Sequence, residues 1–409
     1  MSAPAPSPTD PTPPRPQQPV RDDQRWRRAL REAAAGGVVV SFFALLLAVL
    51  VGSVLIAVTD EEVQSSAGYF FSRPGDTVRA VLDAVTGAYG ALFRGSVYNP
   101  NGADLATQLR PLTQTFLFAG PLVLAGLGVG LAFRAALFNI GGRGQMLLGG
   151  AAAGWVGSSL DLPGGVHLLV GLLAAVVAGG LWGAIAGVLK ARTGAHEVIV
   201  TIMLNYIGFY LVFYALSQPS LLQAPGTTNL TTLPMKDTAT LPPLLGERFD
   251  LHAGFLLALV ATAAVWWLLE RSALGFRIRA VGLNPDAARV AGIDVGRTWT
   301  VVMALSGALV GLAAANQALG TVTSGVTVDI DAGIGFDAIT VALLGRSRPL
   351  GILAAGLLFG AFKAGGFLMQ ASEGIPVDLV LVVQSLIVLF IAAPPLVRAL
   401  FRLPQKEVA

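Results

Sequence analysis

Polar side chains inside a very apolar stretch are the first residues of this sequence that could do chemistry. Segment 138–150 carries Asn139, Arg143 and Gln145 together with five glycines. A polar group buried without a partner costs roughly 2–7 kcal/mol, and irregular backbone survives in a membrane only where it packs in protein or lines a cavity. The segment is therefore predicted either to line a path through a bilayer or to pack helices tightly, with the amides as interhelical glue.

Two charged residues in later apolar runs are further candidates for a gate or an ion pair. Lys363 falls in the middle of an apolar run, where a charge costs on the order of 3 kcal/mol. It is expected either to pair with Asp337, its nearest partner by predicted depth, or to face a cavity. Glu197 begins another apolar run. It is expected either to pair with Arg192 or Arg143 as a gate, or to reach water by itself.

Several kinds of enzyme site are excluded by residue types. The chain has no cysteine, and its three histidines are far apart and outside any His-Glu-x-x-His pattern, which makes a zinc site unexpected. It has no Gly-x-x-x-x-Gly-Lys-Ser/Thr phosphate-binding motif. A membrane enzyme would need acids, histidines or nucleophiles clustered at one interface, and no such cluster is visible. The sequence predicts no catalytic residue, no metal and no cofactor of its own, so transport would be driven by a partner or by an ion gradient.

The composition predicts an all-α, polytopic membrane protein that holds these residues. Of 409 residues, 54% are hydrophobic and 12% charged, whereas soluble domains carry roughly 25% charged residues. Basic clusters lie near 21–31, 134–143, 190–192, 271–297, 346–348 and 398–406. They all fall on the cytoplasmic side only if 334–344 crosses or takes part in a crossing, which gives about ten spans with both termini cytoplasmic. The expected location is the cell membrane.

The chain divides into two tails and one membrane domain. Residues 1–35 form a proline-rich, basic cytoplasmic tail that is expected to be disordered, 36–397 form the transmembrane domain, and 398–409 form a second cytoplasmic tail. Three parts of the domain are predicted not to span the membrane. Residues 60–110 and 219–251 are predicted to be extracytoplasmic, and 271–297 cytoplasmic. The first of these parts is expected to contain an amphipathic helix near 76–94. The predicted spans lie near 37–59, 111–133, 138–159, 165–189, 197–218, 252–270, 297–319, 334–344, 350–371 and 377–396.

One of these spans is too short to cross. Ile334–Leu344 would cover about 17 Å as a helix, whereas the hydrocarbon core is about 30 Å thick. It is therefore predicted to be a broken helix, which points to a translocation site. Phe138-Asn-Ile-Gly begins the third predicted segment on the inner side, and Phe336-Asp-Ala-Ile begins this short segment on the outer side. The two segments would therefore run in opposite directions through the membrane. The match is either a trace of inverted repeats or chance.

The internal polar loop 271–297 contains a short helix signal. Asn284 is a good N-cap, Pro285 suits the first turn, Ala287 and Ala288 continue the helix, and Gly292 ends it. The loop is either a solvated connector or, as the small residues favour, a docking surface for another protein. Ala288, in mid-helix, is expected to face a groove on that protein.

Four motifs in order carry a family resemblance over about 110–395. They are Phe138-Asn-Ile-Gly-Gly-Arg-Gly-Gln, His196-Glu-Val-Ile-Val-Thr-Ile-Met-Leu-Asn-Tyr206, Gly282-Leu-Asn-Pro-Asp-Ala-Ala-Arg and Gly335-Phe-Asp-Ala-Ile-Thr-Val-Ala-Leu-Leu-Gly345. The sequence resembles the permease subunit of ATP-binding cassette importers for nucleosides and simple sugars, related to branched-chain amino acid permeases.

The resemblance implies partners and a coupling helix. The expected partners are a cytoplasmic ATPase that binds ATP, a second permease subunit, which would make a heterodimer, and an extracytoplasmic binding protein or lipoprotein; no nucleic acid is expected. Gly282 to Gly292 would be the helix that couples to the ATPase.

Within that resemblance, the substrate path would be lined by Asn139, Gln145, Asn205 and Asp337, with Tyr206 or Phe336 as a stacking face for a nucleoside. Each of them could instead be structural glue. Where the family usually has Glu and Asn, this chain has Arg143 and His196, so the resemblance assigns no substrate contact to those two positions. The alternatives are a ribose-like sugar or amino acid permease of the same class, or an ion-coupled secondary transporter.

Overall fold

The architecture comes from a computed structural model that describes residues 37–246 and 248–402. The predicted tail 1–35 lies outside the described residues, as does 403–409 of the second tail. The helices of the described part are α1 Gly37–Thr59, α2 Glu61–Ala67, α3 Pro74–Ser96, α4 Leu105–Arg134, α5 Gly142–Ser159, α6 Val166–Thr193, α7 Glu197–Leu216, α8 Gly254–Arg271, α9 Ala273–Leu283, α10 Pro285–Val290, α11 Val295–Asn316, α12 Ile334–Leu344, α13 Pro349–Glu373, α14 Val377–Ala392 and α15 Pro394–Leu400.

Within these described residues, seven helices are long and apolar enough to cross a membrane: α1, α4, α6, α7, α8, α11 and α13. The number rises to eight when α14 and α15, which bend by 91° at a break, count as one span. The predicted span 138–159 becomes a helix only at Gly142, and Ile334–Leu344 is a separate helix of 11 residues. The chain is an all-helical, multi-pass membrane protein, as predicted.

A glycine seam joins α6 to α11 at the centre of the molecule. Gly179, Gly183 and Gly187 recur every fourth residue on α6; Gly179 and Gly183 face Gly307 and Gly311 on α11, and Gly187 faces Thr300 and Met303. A methyl group added to Gly307 would collide with the carbonyl oxygen of Gly179. Small residues at this spacing let two membrane helices approach to backbone contact.

We expect Gly307→Ala to lower the free energy of unfolding by about 1–3 kcal/mol, because the new methyl group overpacks a seam made of backbone. The thermal midpoint of the detergent-solubilised protein measures this effect. Gly164→Ala is the matched control, since a Cβ at Gly164 meets nothing within 4 Å. Equal midpoints for the two variants would show that the seam is loose.

A second seam of the same kind joins α13 to α4. A Cβ added to Gly356 would press on Val123, and one added to Gly360 would lie 2.6 Å from the carbonyl oxygen of Thr115. The buried helix α4 therefore contacts both α11 and α13, and most of its length from Leu117 to Ala132 is buried. The core of the protein lies around α4.

The predicted amphipathic helix near 76–94 is present as α3, and its small residues are the most deeply buried ones. Ala80, Ala88 and Ala91 are buried, whereas Val78 and Leu82 are more than half exposed. The helix packs between α1 and α13, and the partly buried Val85, Tyr89 and Leu92 pack with Ala88 and Ala91 in one apolar cluster.

The long loop after α7 covers the C-terminal ends of α5 and α11. The backbone N–H of Lys236 donates to the carbonyl oxygen of Gly157 at 2.9 Å, and that of Leu241 donates to Leu319 at 2.7 Å. Met235 and Ala239 are buried beneath it. The loop is therefore an ordered cover, which explains why it is longer than a simple connector.

Candidate substrate pathway

The short helices α5 and α12 meet at their N-termini. A Cβ added to Gly142 would lie 2.5 Å from the carbonyl oxygen of Gly335, and one added to Gly335 would lie 2.5 Å from the amide nitrogen of Arg143. Each helix N-terminus carries the equivalent of about half a positive charge. The meeting point therefore favours acidic side chains and hydrogen-bond acceptors, and Asp337 occupies the first turn of α12.

Two ion pairs lie at this meeting point. Arg143 Nε is 3.6 Å from Asp331 Oδ1, and Lys363 Nζ is 2.8 Å from Asp337 Oδ2. The Lys363 and Asp337 side chains are 20% and 24% exposed. Lys363 also donates to the carbonyl oxygen of Ala332 at 3.5 Å. The charge of Lys363 within α13 is thus balanced by α12, the partner that predicted depth suggested.

The Asn139 side chain holds the irregular backbone before α5 in place. It is fully buried, and its Nδ2 donates to Ser306 Oγ at 2.8 Å and to Gln145 Oε1 at 3.1 Å. Its Oδ1 accepts from the Gly141 N–H at 2.9 Å and from Gln145 Nε2 at 3.2 Å. The amide groups of Asn139 and Gln145 therefore hydrogen-bond within the protein, and they do not line an open path in this conformation.

Asn205 has a similar structural position. Its Oδ1 accepts from the Gly144 N–H at 2.8 Å, and its Nδ2 donates to the Ile140 carbonyl oxygen at 2.9 Å. Asn205 is 6% exposed. The side chain thus connects α7 to the start of α5. This position matches the structural role that was the alternative for these amides, and it differs from the predicted lining of a path.

A cavity of ≈ 270 Å³ opens beside the meeting point, and it brings charged groups and an aromatic ring together. It is lined by Arg143, Asp329, Asp331, Ala332, Gly333 and Phe336. Phe336 is 49% exposed. Of the predicted path residues, Phe336 therefore lies in the cavity wall, while Asp337 pairs with Lys363 next to it. The arrangement offers a stacking ring, a cation and two carboxylates within one space.

An aromatic ring on α7 contacts Arg143 of the cavity wall. The guanidinium carbon of Arg143 lies 5.3 Å from the centroid of the Phe209 ring, and Phe209 packs edge-to-face on Tyr210. Tyr206, Tyr210 and Tyr214 recur every fourth residue and are each more than half exposed. Tyrosine hydroxyls need water or a partner, which hydrocarbon alone does not supply.

Glu197 pairs with a different cation from those expected. Its Oε2 lies 2.6 Å from Lys190 Nζ, and its Oε1 accepts from the Phe138 N–H at 3.4 Å. The expected partners, Arg192 and Arg143, do not pair with this carboxylate. Arg143 pairs with Asp331 instead. Lys190 also lies over the Trp299 ring at 5.0 Å. The pair connects α6 to α7 beside the entry to α5.

The short helix in the polar loop forms with the expected caps. Asn284 Oδ1 accepts from the N–H groups of Asp286 and Ala287 at 3.0 Å, Pro285 is the first residue of α10, and Gly292 after it has a φ of +81°. The rest of predicted loop 271–297 is mostly helical as α9. Gly282 lies close against the Arg134 carbonyl oxygen, which docks α9 onto the end of α4.

Ala288 does not face outward as expected. It is 3% exposed and packs with Val281 and Val295 of the same chain. Leu283 and Val290 are instead 88% and 91% exposed. The exposed apolar side chains of this surface are therefore the two larger ones, Leu283 at the end of α9 and Val290 at the end of α10, and Ala287 is also exposed. The small residue Ala288 is covered by the loop.

Three site residues were missed by the sequence reasoning: Asp329, Asp331 and Phe209. The two aspartates flank Ile330 just before the short helix, in otherwise apolar surroundings, and that spacing was a usable signal. Phe209 carried none, because it is one of many aromatic residues on α7. Its place beneath Arg143 follows only from the packing of α5 on α7.

Comparison with known proteins finds one family and several relatives, and all of them are permease components of transport systems. The family described as the permease component of branched-chain amino acid transport systems matches residues 112–392. A guanosine ABC transporter permease of Bacillus subtilis is 38% identical over 319 residues, 77% of this chain and 88% of the relative. A nucleoside ABC transporter permease of Lactococcus lactis is 36% identical over 69% of this chain and 79% of the relative. A glucose ABC transporter permease of Haloferax volcanii is 35% identical over 74% of this chain and 79% of the relative. No solved structure matches significantly.

Proposed function

Because the chain belongs to the family of permease components of branched-chain amino acid transport systems, we propose that it moves nucleosides into the cell as one subunit of an ATP-binding cassette importer. The chain is a membrane permease component and not an enzyme. The observation that carries the substrate proposal is the cavity lined by Arg143, Asp329 and Phe336. A nucleoside needs hydrogen bonds for its ribose and base edges and an aromatic surface for the base.

The relatives support this substrate class and one alternative. Two of the relatives described above are named for guanosine or nucleosides, and a third is named for glucose. A simple sugar is therefore the second candidate, since hydroxyl groups would also pair with the cavity carboxylates. Uptake of labelled guanosine and glucose by cells that express the chain with its transport partners distinguishes the two. We expect guanosine uptake; uptake of glucose alone would overturn the nucleoside assignment.

The proposed energy source is a separate cytoplasmic ATPase. The family membership supports it, and the exposed apolar residues Leu283 and Val290 on the α9–α10 loop give a surface on which it would dock. The remaining alternative, an ion-coupled secondary transporter, would use the Lys363–Asp337 pair for protons. Co-purification of an ATPase with the chain supports the importer.

We expect the chain alone, reconstituted in liposomes, to take up no guanosine, because it has no phosphate-binding motif to use ATP. The measurement is labelled guanosine retained in vesicles, with and without an imposed proton gradient. Vesicles that contain the complete importer with ATP are the positive control. Uptake by the chain alone would favour the secondary transporter.

Two further partners complete the proposed importer. The exposed tyrosines of α7 and the open side of the cavity support a second permease subunit, related but different, that closes the path from the other side. An extracytoplasmic binding protein or lipoprotein would deliver the nucleoside at the outer surface, where loop 219–251 covers α5 and α11.

The packing supports the proposal that the chain contains inverted repeats. The units would be α4–α5–α6 and α11–α12–α13. The third helix of each unit packs along a glycine seam on the first helix of the other, α6 on α11 and α13 on α4. The middle helices, α5 and α12, meet at their N-termini as a two-fold relation requires. Each middle helix with its preceding extended segment would complete one of about ten crossings.

The proposed topology places both termini in the cytoplasm and loop 219–251 outside. Thr228 is exposed in that loop, and the chain has no cysteine of its own. We expect Thr228→Cys to react with a membrane-impermeant maleimide in intact cells, and Asp286→Cys on α10 to react only after permeabilisation. The reverse pattern of labelling would invert the topology.

A further inference from the structure

Arg143 places a cation where the helix end disfavours one, and its protein contacts leave the end of the side chain free for a ligand. It is the second residue of α5, where the helix dipole repels a cation. Its Nε is buried without a hydrogen bond in the described part of the chain, while the side chain as a whole is 35% exposed. The terminal Nη groups are therefore the exposed end that lines the cavity. Phe209 below and Asp331 beside Nε fix the plane of the guanidinium.

The charges of the cavity decide between an anionic and a neutral ligand. Its charged lining residues are Arg143, Asp329 and Asp331, which sum to one negative charge when all are ionised. An anion would meet net repulsion. A neutral ligand is favoured if it offers two adjacent acceptors to the planar fork of the guanidinium and donors to a carboxylate, with an aromatic plane for Phe336.

We propose that Arg143 makes the path selective for 6-oxopurine nucleosides over 6-aminopurine nucleosides. This inference rests on the proposed nucleoside function and deepens it. Guanine and hypoxanthine present O6 and N7 as neighbouring acceptors, which an arginine binds with two parallel hydrogen bonds. Adenine presents N7 beside an amino group, which would point a donor at a residue that has only donors.

Asp329 supplies the complementary half of the site. Its carboxylate accepts the ring N–H of the 6-oxopurine or the ribose hydroxyls, while the base stacks on Phe336. Asp331 remains with Nε of Arg143, so it positions the guanidinium. A lysine at position 143 would keep the charge beside Asp331 and lose the fork, because an ammonium is a point donor.

The test is the ratio of guanosine to adenosine uptake in cells that express the complete importer and lack other nucleoside transporters. We expect Arg143→Gln to lower this ratio by roughly 5- to 150-fold, because glutamine offers both a donor and an acceptor. Arg143→Lys should lower the ratio as well. Selectivity contributed by the binding protein is common to all variants and cancels in the comparison. Arg73→Gln, an exposed arginine at the start of α3, is the matched control and should leave the ratio unchanged.

The possible results separate the inference from the function on which it rests. If the parent protein takes up neither nucleoside, the proposed function fails. If it takes up guanosine and the ratio stays the same in Arg143→Gln and Arg143→Lys, the function stands and the selectivity inference is wrong. A lower ratio in Arg143→Gln alone, with Arg143→Lys unchanged, would show that charge rather than the fork discriminates, and would also overturn it.

A second measurement does not depend on uptake. It can be used if a variant assembles poorly or if the binding protein does not deliver adenosine. Ala332 lines the cavity and is exposed, so Ala332→Cys gives this cysteine-free chain a single thiol, and its alkylation rate, followed on the permease band, reports occupancy in the purified importer. Guanosine or inosine should slow alkylation at lower concentration than adenosine does. The difference should disappear when Arg143→Gln is added. Equal protection by guanosine and adenosine in Ala332→Cys itself would contradict the inference.

Discussion

Replacing Leu283 or Val290 with arginine should uncouple the permease from its proposed ATPase and leave the membrane domain folded. Both side chains are almost fully exposed at the ends of α9 and α10, so the substitutions disturb no packing within the chain. In a packed interface the added bulk alone costs about 1–3 kcal/mol, and the arginine also brings a charge that the ATPase surface does not pair. We expect ATPase association and substrate-stimulated ATP hydrolysis to fall at least about tenfold, which corresponds to about 1.4 kcal/mol.

Two controls make this result specific. Leu105→Arg is the same substitution at a residue 67% exposed at the start of α4, and it should leave ATP hydrolysis unchanged. Ala288→Arg should also reduce hydrolysis, but through loss of folding, because Ala288 is packed against Val281 and Val295; its thermal midpoint should fall, whereas that of Val290→Arg should not. If Leu283→Arg and Val290→Arg both hydrolyse ATP like the parent, the loop is a solvated connector.

Removing one partner of the Lys363–Asp337 pair should be the most destabilising change in the pathway. Each side chain is about three-quarters or more buried, and Asp337→Leu leaves the Lys363 ammonium without its carboxylate at the meeting point of two positive helix ends. Breaking a buried pair in this way costs about 3–5 kcal/mol. We expect low yield of folded protein and a lowered thermal midpoint.

The double variant Lys363→Leu with Asp337→Leu isolates the pair. It should recover most of the lost stability, because replacing both charges removes the desolvation cost along with the attraction. The matched control is Glu373→Gln, which breaks the more exposed pair of Glu373 with Arg94 at 3.4 Å and should cost less than about 1 kcal/mol. A midpoint for Asp337→Leu equal to that of Glu373→Gln would mean that water already screens the Lys363 charge.

Features controlled by neighbouring residues were predictable from the sequence. The helix Ile334–Leu344 has the predicted bounds, since Gly333 before it and Gly345 after it limit the apolar run. The cap at Asn284 and the start at Pro285 follow from local hydrogen bonding and from the fixed φ of proline. The sequence also indicated that Lys363 needed a partner, because few acidic residues lie at a similar predicted depth in the membrane.

The direction in which a polar side chain points was not predictable in the same way. Asn139 and Asn205 were expected to line a path, yet each is used up by hydrogen bonds to backbone and side chains distant in sequence. Arg143 lies between them in the chain and does reach the cavity. The difference depends on how α7 and α11 pack around α5, and no local pattern encodes that packing. For the same reason Ala288, small and in mid-helix, is buried.

The hydrogen bond from Asn139 to Ser306 has a consequence for the order of events during synthesis. Its two residues are 167 positions apart, so at roughly 5–20 residues per second the ribosome needs about 8–33 s to make the second after the first. During that interval the nascent chain holds an amide in the bilayer without its final acceptor. The stretch around Gly142 therefore cannot settle until the later helices arrive, and chains truncated before Ser306 should be preferred substrates of membrane proteases.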